Sequence, residues 1–158
     1  MPVTFYTYSD GGARGNPGPA AVGALLCDDK GNVLEEASRL IGETTNNVAE
    51  YHALLLALEL AKAHRAKRLQ CHADSELLIF QLQGVYRIKD ARLKVLAEKV
   101  KSLAEGFDSV TYRQIPRTHP MIAHADRLLN QTLNRAKLKG PNRSAAARGQ
   151  TPIQKEFF

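Results

Sequence analysis

Cysteine is scarce in this chain: Cys27 and Cys71 are the only two among 158 residues. Both fall in apolar runs that read as strands, which excludes a disulfide framework and a cysteine-based metal centre and points to reduced, buried thiols. Long apolar runs are missing as well, since none approaches the roughly 18 residues that a membrane span needs. Met1-Pro-Val-Thr-Phe-Tyr6 has no basic segment of the kind that opens a secretion signal. A soluble, cytoplasmic protein with no membrane contact is expected. The basic excess is also thin where it would matter for a partner. The formal charge is +6, but residues 137–158 carry five basic residues against one acidic, so only +2 remains for residues 1–136. Overall charge is therefore weak evidence for a nucleic-acid partner. Internal repeats are absent.

With 44% hydrophobic residues, the chain can bury one domain's core but is too short for two ordinary ones. Residues 3–10 alternate with β-branched and aromatic side chains, residues 20–27 are small and apolar, and residues 33–41 follow the turn Asp28-Asp-Lys-Gly-Asn32. These read as three strands of an antiparallel meander. The period then changes. Val48, Tyr51, Leu55 and Leu58 recur at helical spacing in a segment that runs to about His64.

A short strand over 69–73 ends at Asp74, helices are expected over 75–83 and 92–105, a last strand over 110–115 and a closing helix over 121–136. The order βββαβααβα implies an α/β layer with a mixed sheet, in which helical crossovers let the later strands lie parallel to the first. The domain is expected over 1–139. Residues 140–158 turn to Gly, Pro, Asn, Arg, Ser and Ala and read as a flexible tail.

Four carboxylates fall at or near element junctions: Asp10, Glu50, Asp74 and Asp126. Each has an ordinary explanation. Asp10-Gly-Gly12 is turn chemistry at a strand end. Asn47 and Glu50 have the spacing of a capping pair. Asp74 can cap the helix after its strand, and Asp126 can be a solvated helix residue. Taken together they suggest more. Asp10 and Asp74 end strands that would be neighbours, where crevices open in α/β sheets. Four hard oxygen donors suit Mg2+ or Mn2+ rather than zinc, and such a cluster can hold two ions about 3.5–4 Å apart for an in-line phosphoryl displacement.

The stretches Thr7-Tyr-Ser-Asp-Gly-Gly-Ala-Arg-Gly-Asn-Pro-Gly-Pro-Ala20, Thr44-Thr-Asn-Asn-Val-Ala-Glu-Tyr51, Ala73-Asp-Ser75 and His124-Ala-Asp-Arg-Leu128 resemble, in order, the catalytic motifs of type 1 ribonuclease H. The resemblance covers roughly residues 3–136. It implies a ribonuclease H-like fold with a five-stranded mixed sheet in the order 3-2-1-4-5. It also implies an endonuclease that cuts the RNA strand of RNA–DNA hybrids, leaving 5′-phosphate and 3′-hydroxyl ends, with Asp10, Glu50, Asp74 and Asp126 as catalytic residues and ligands of two Mg2+ or Mn2+ ions. A hybrid-binding module without turnover, and a same-fold nuclease acting on double-stranded RNA or DNA, are the alternatives.

The resemblance further implies that the loop of Gly11, Gly12 and Asn16 meets ribose 2′-hydroxyls. Thr45 and Asn46 would hold the DNA strand through free amides at a helix start, although both also read as capping residues. His119 and His124 are the candidates for a histidine that aids product release. Only Gly84-Val-Tyr-Arg-Ile-Lys-Asp90 separates the middle helices, so the basic protrusion of many bacterial members is missing, as in the compact, archaeal-like subgroup. Arg87 and Lys89 would supply a smaller duplex contact. A monomer is expected. Gln154 to Phe158 loosely resembles a peptide that binds a bacterial DNA sliding clamp, which makes such a clamp a candidate partner.

Overall fold

A computed structural model of the chain describes residues 3–139. The element order is β1 (Thr4–Ala13), β2 (Gly18–Cys27), β3 (Val33–Thr44), α1 (Asn46–Ala63), β4 (Arg68–Ala73), α2 (Glu76–Leu82), α3 (Ala91–Ala104), β5 (Ser109–Gln114) and α4 (Pro120–Lys139). The five strands form one sheet in the order β3-β2-β1-β4-β5. The pairs β1–β2 and β2–β3 are antiparallel, while β4 runs parallel to both β1 and β5. The tail over 140–158, with the clamp-like peptide of Gln154 to Phe158, lies outside the described residues.

The first hairpin departs from the expectation. β1 does not end at Asp10: Gly11, Gly12 and Ala13 continue it and pair with Val22, Ala21 and Ala20. The loop expected from Gly11 to Pro19 shrinks to residues 14–17, closed by the Arg14 amide donating to the Pro19 carbonyl at 2.8 Å. Glycine weakens an isolated strand, but here the small residues of both arms let the ladder run on, and tertiary pairing overrides local propensity.

α1 is apolar nearly all round because it is covered twice. The sheet lies on one side, through residues such as Leu26, Leu69 and Cys71, and α3 packs on the other with Leu93, Leu96 and Val100. α4 covers the opposite face of the sheet, where Leu129 and Leu133 meet Ala21. The meander is thus gripped by a helix on each face.

Two glycines set how closely those helices approach. A Cβ on Gly11 would run into the Ala49 carbonyl of α1 and lie 2.8 Å from the Glu50 amide, and one on Gly23 would run into the Ala125 carbonyl of α4. Ala49 precedes Glu50, Ala125 precedes Asp126, and Gly23 is the strand partner of Asp10. The close approaches on the two faces therefore fall beside the acidic residues. Gly11→Ala must push α1 away from β1 and is expected to cost about 1–3 kcal/mol of stability as an overpacked contact. Chemical denaturation checks this, and an unchanged midpoint contradicts it.

Candidate active site

The carboxylates gather at the carboxyl end of the parallel pair. β1 and β4 stay in register up to Tyr8 opposite His72. Asp10 follows two residues later, 1% exposed, and Asp74 comes immediately after the end of β4. β4 has ended there, and the Gly11 amide donates instead to Glu50 Oε1 at 3.0 Å. Asp10, Glu50 and Asp74 each present an oxygen, and these oxygens all lie within 4.8 Å of one another. Asp126, half-buried on α4, lies close enough to Asp10 to help raise the pKa of its carboxyl. It is not one of the three mutually close oxygens.

The capping explanations fail in the structure. The N-cap of α1 is Thr45, not Asn47, and its hydroxyl accepts from the Val48 amide at 3.3 Å. Glu50 then lies beyond the first turn, and its side chain serves β1 rather than its own helix. Asp74 does not cap α2 either. Ser75 does, through its hydroxyl and the Leu78 amide at 3.1 Å. In both cases a hydroxyl does the capping and the carboxylate is left for the cleft.

Burial and mutual repulsion govern the protonation of this group. Desolvation first, then the charge of Asp74 and the hydrogen bond and charge of Asp126, push the Asp10 carboxyl up to about 8. Glu50 rises well above the ordinary carboxylate range through burial and the charges of Asp10 and Asp74, against a smaller opposing pull from the Gly11 amide and Arg117. Asp10 Oδ1 and Asp74 Oδ1 are buried without a hydrogen-bond partner. Unsatisfied hard oxygens at this spacing fit a divalent cation of the Mg2+ or Mn2+ type.

A cleft of about 330 Å3 opens over the group, lined by residues that include Asp10, Gly12, Arg14, Asn46, Glu50, Arg117, Asp126 and Asn130. Arg117, which no motif picked out, places Nε 3.3 Å from Asp74 Oδ2. Its sequence signal is a lone cation in the turn between β5 and α4, at the sheet end where the acids cluster.

The expected substrate residues are distributed unevenly. Gly11 and Gly12 lie in β1, not in a loop. The Ala13 amide donates to Asn46 Oδ1 at 2.8 Å and the Asn46 amide to Asn16 Oδ1 at 3.0 Å, so the β1–β2 turn is stitched to the start of α1. The Asn46 amide is thus engaged rather than free, as is the Val48 amide. Arg87 and Lys89 are exposed in the short connection before α3 and lie apart from the cleft lining.

Neither candidate histidine lines the cleft. His119 stacks on Tyr8, ring centres 5.3 Å apart, and its Nδ1 accepts from the Met121 amide at 3.1 Å. His124 Nε2 bonds Glu36 of β3 at 2.8 Å. No described helix is long and apolar enough to cross a membrane.

The family profile described as "Reverse transcriptase-like" matches residues 8–126. The Ribonuclease HI of Halobacterium salinarum is 38% identical over 131 residues, 83% of this chain and 65% of that protein. The Ribonuclease HI of Caulobacter vibrioides is 34% identical over 146 residues, 85% of this chain and 94% of that protein. The solved structure of LC11-RNase H1 in complex with an RNA/DNA hybrid aligns with a TM-score of 0.78 at 42% identity, covering 84% of this chain and 98% of that one. The chain spans 35% of the length of its mycobacterial relatives.

Asp10 gives the site a pH signature. Its carboxyl titrates at about 8 in the folded chain against an ordinary 3.8, so between those values the folded state holds a proton that the unfolded chain has released. The associated stability is present in full below about pH 4 and is lost as the pH rises through about 8. With chelator present, the wild-type denaturation midpoint is expected to fall between about pH 5 and pH 9. Asp10→Asn should flatten that fall and be the more stable protein at the alkaline end. Parallel pH profiles for the two proteins contradict the assignment.

Proposed function

The chain belongs to the ribonuclease H family, and from that premise we propose that it is an endonuclease hydrolysing the RNA strand of RNA–DNA hybrids, leaving 5′-phosphate and 3′-hydroxyl ends. The observation that carries this reading is the convergence of Asp10, Glu50 and Asp74, with buried, unpartnered oxygens on Asp10 and Asp74. A hybrid-binding module without turnover has no need of such a cluster, because like charges packed this tightly raise one another's pKa and oppose folding. The solved complex of the LC11 relative with an RNA/DNA hybrid supports the substrate class.

In this reading Asp10, Glu50 and Asp74 hold the divalent ions and Asp126 adds a carboxylate from α4. Bound there, a pair of ions supplies Lewis acidity for an attacking water and a leaving oxygen. The protein's part is positioning. The Gly11 amide fixes one oxygen of Glu50, leaving the other for a ligand. Arg117 holds Asp74 and offsets negative charge at the mouth of the cleft, which eases the approach of a phosphate. The Asn16–Asn46–Ala13 stitch locks the hairpin turn against α1, so that Gly12, Asn16, Thr45 and Asn46 form one rigid wall along which the duplex lies. Arg87 and Lys89, on exposed backbone before α3, add phosphate contacts farther along it.

Matched hybrid, RNA duplex and DNA duplex substrates, each assayed with Mg2+ and with Mn2+, test the proposal. Cleavage confined to the RNA strand of the hybrid is expected. Asp10→Asn should lower the rate by at least about 1000-fold while hybrid binding persists in a gel-shift assay. Cutting that survives Asp10→Asn, or an intact hybrid under all conditions, contradicts it.

A further inference from the structure

The two cations in the cleft lining, Arg14 and Arg117, are held in different ways. Arg117 faces a carboxylate, so its charge is largely offset by Asp74. Arg14, in the turn after β1, reaches across to α4, where its Nη2 donates to both the backbone carbonyl of Asn130 at 3.3 Å and Asn130 Oδ1 at 3.2 Å. Asn130 is itself fixed, because its Nδ2 donates to the Asp126 carbonyl one helical turn back at 2.9 Å.

Both acceptors on Arg14 are neutral amide oxygens. They orient the guanidinium without cancelling its charge, and they engage one nitrogen of a fork that carries five N–H donors. Arg14 is also exposed, so its remaining donors can meet a ligand without first being freed. A planar, oriented, uncompensated guanidinium at the rim of an acidic cleft is suited to bidentate capture of a phosphate. Arg14 lines the same cleft as Asp10, Glu50 and Asp126, and the strand that lies at those carboxylates is the strand being cut, so the phosphate within reach of Arg14 belongs to that strand.

Building on the ribonuclease reading, we propose that Arg14 binds a backbone phosphate of the RNA strand adjacent to the one cleaved, and that Asn130 is the residue that positions it. The tie from Arg14 through Asn130 to the Asp126 carbonyl couples this phosphate contact to the turn of α4 that carries a catalytic carboxylate. Arg14 thereby sets the register of the substrate, while the chemistry stays with the acids.

Steady-state cleavage of a hybrid between about 50 and 200 mM salt distinguishes a phosphate contact from a structural tie. Arg14→Ala is expected to raise KM about tenfold with kcat changed by less than about twofold. The plot of log(kcat/KM) against log salt should become shallower by about 0.9, the loss of one phosphate contact. Arg14→Lys and Asn130→Ala, which keep the cation, should raise KM by less and retain the wild-type slope. Should Arg14→Ala not fold, Arg14→Gln removes the charge at similar length and reports the same slope. A wild-type slope in the charge-removing variant overturns the inference. Failure of the wild-type protein to cut the hybrid overturns the underlying activity instead, and the same assay reads both.

Discussion

Everything at the candidate site depends on how closely two helices can approach one pair of strands. Gly11 and Gly23 lack the Cβ atoms that would hold α1 and α4 off the sheet, and the backbone atoms they admit belong to Ala49 and Ala125. The next residues are Glu50 and Asp126. Removing a single methyl group's volume on each face is what lets Glu50 and Asp126 from the two helices, and Asp74 from the end of β4, meet around Asp10 in β1. Side-chain length alone would not achieve this, since a shift of about an ångström in a close-packed interior propagates to the groups it supports.

The arrangement is costly for the protein by itself. Burial and like charge raise both Asp10 and Glu50, and such a group opposes folding unless protons or cations neutralise it. The fold bears this because the cluster sits at the edge of a well-packed layer. α1, sandwiched between the sheet and α3, is buried along its length from Val48 to Ala61, and the β1–β2 ladder continues past the acids to Ala13. Arg117 supplies partial compensation from outside. A preorganised, under-neutralised pocket is what a divalent-ion site requires, so the electrostatic stress and the proposed chemistry have one origin.

Much of this was legible in the sequence. The element order follows from periodicity and the mixed sheet from the crossover rules, the strand order 3-2-1-4-5 came from the resemblance to ribonuclease H, and the four acids stood out because each falls at or near a junction between elements. What stayed hidden was local. The run Gly11-Gly-Ala13 reads as a loop because strand propensity cannot see that Ala20, Ala21 and Val22 will pair with it. Thr45 and Ser75 take the capping roles expected of Asn47 and Asp74, because hydroxyl, amide and carboxylate oxygens compete for the same backbone N–H groups and only tertiary contacts decide between them. Arg117 and Asn130 belong to no local pattern, and Arg14, although it lies within the first motif, carries no mark there of its tie to α4. Their meaning arises from positions distant in the chain, such as the span from Arg14 to Asn130, brought together by packing.

The central claim is that these carboxylates form a divalent-ion site. Crystals of the protein soaked in Mn2+ and measured for anomalous scattering test it most directly. The account predicts a strong anomalous peak bounded by oxygens of Asp10, Glu50 and Asp74, at the roughly 2.0–2.2 Å expected of a small hard cation, and its loss in Asp10→Asn. An empty cluster at saturating Mn2+, or a peak at some other site only, contradicts it.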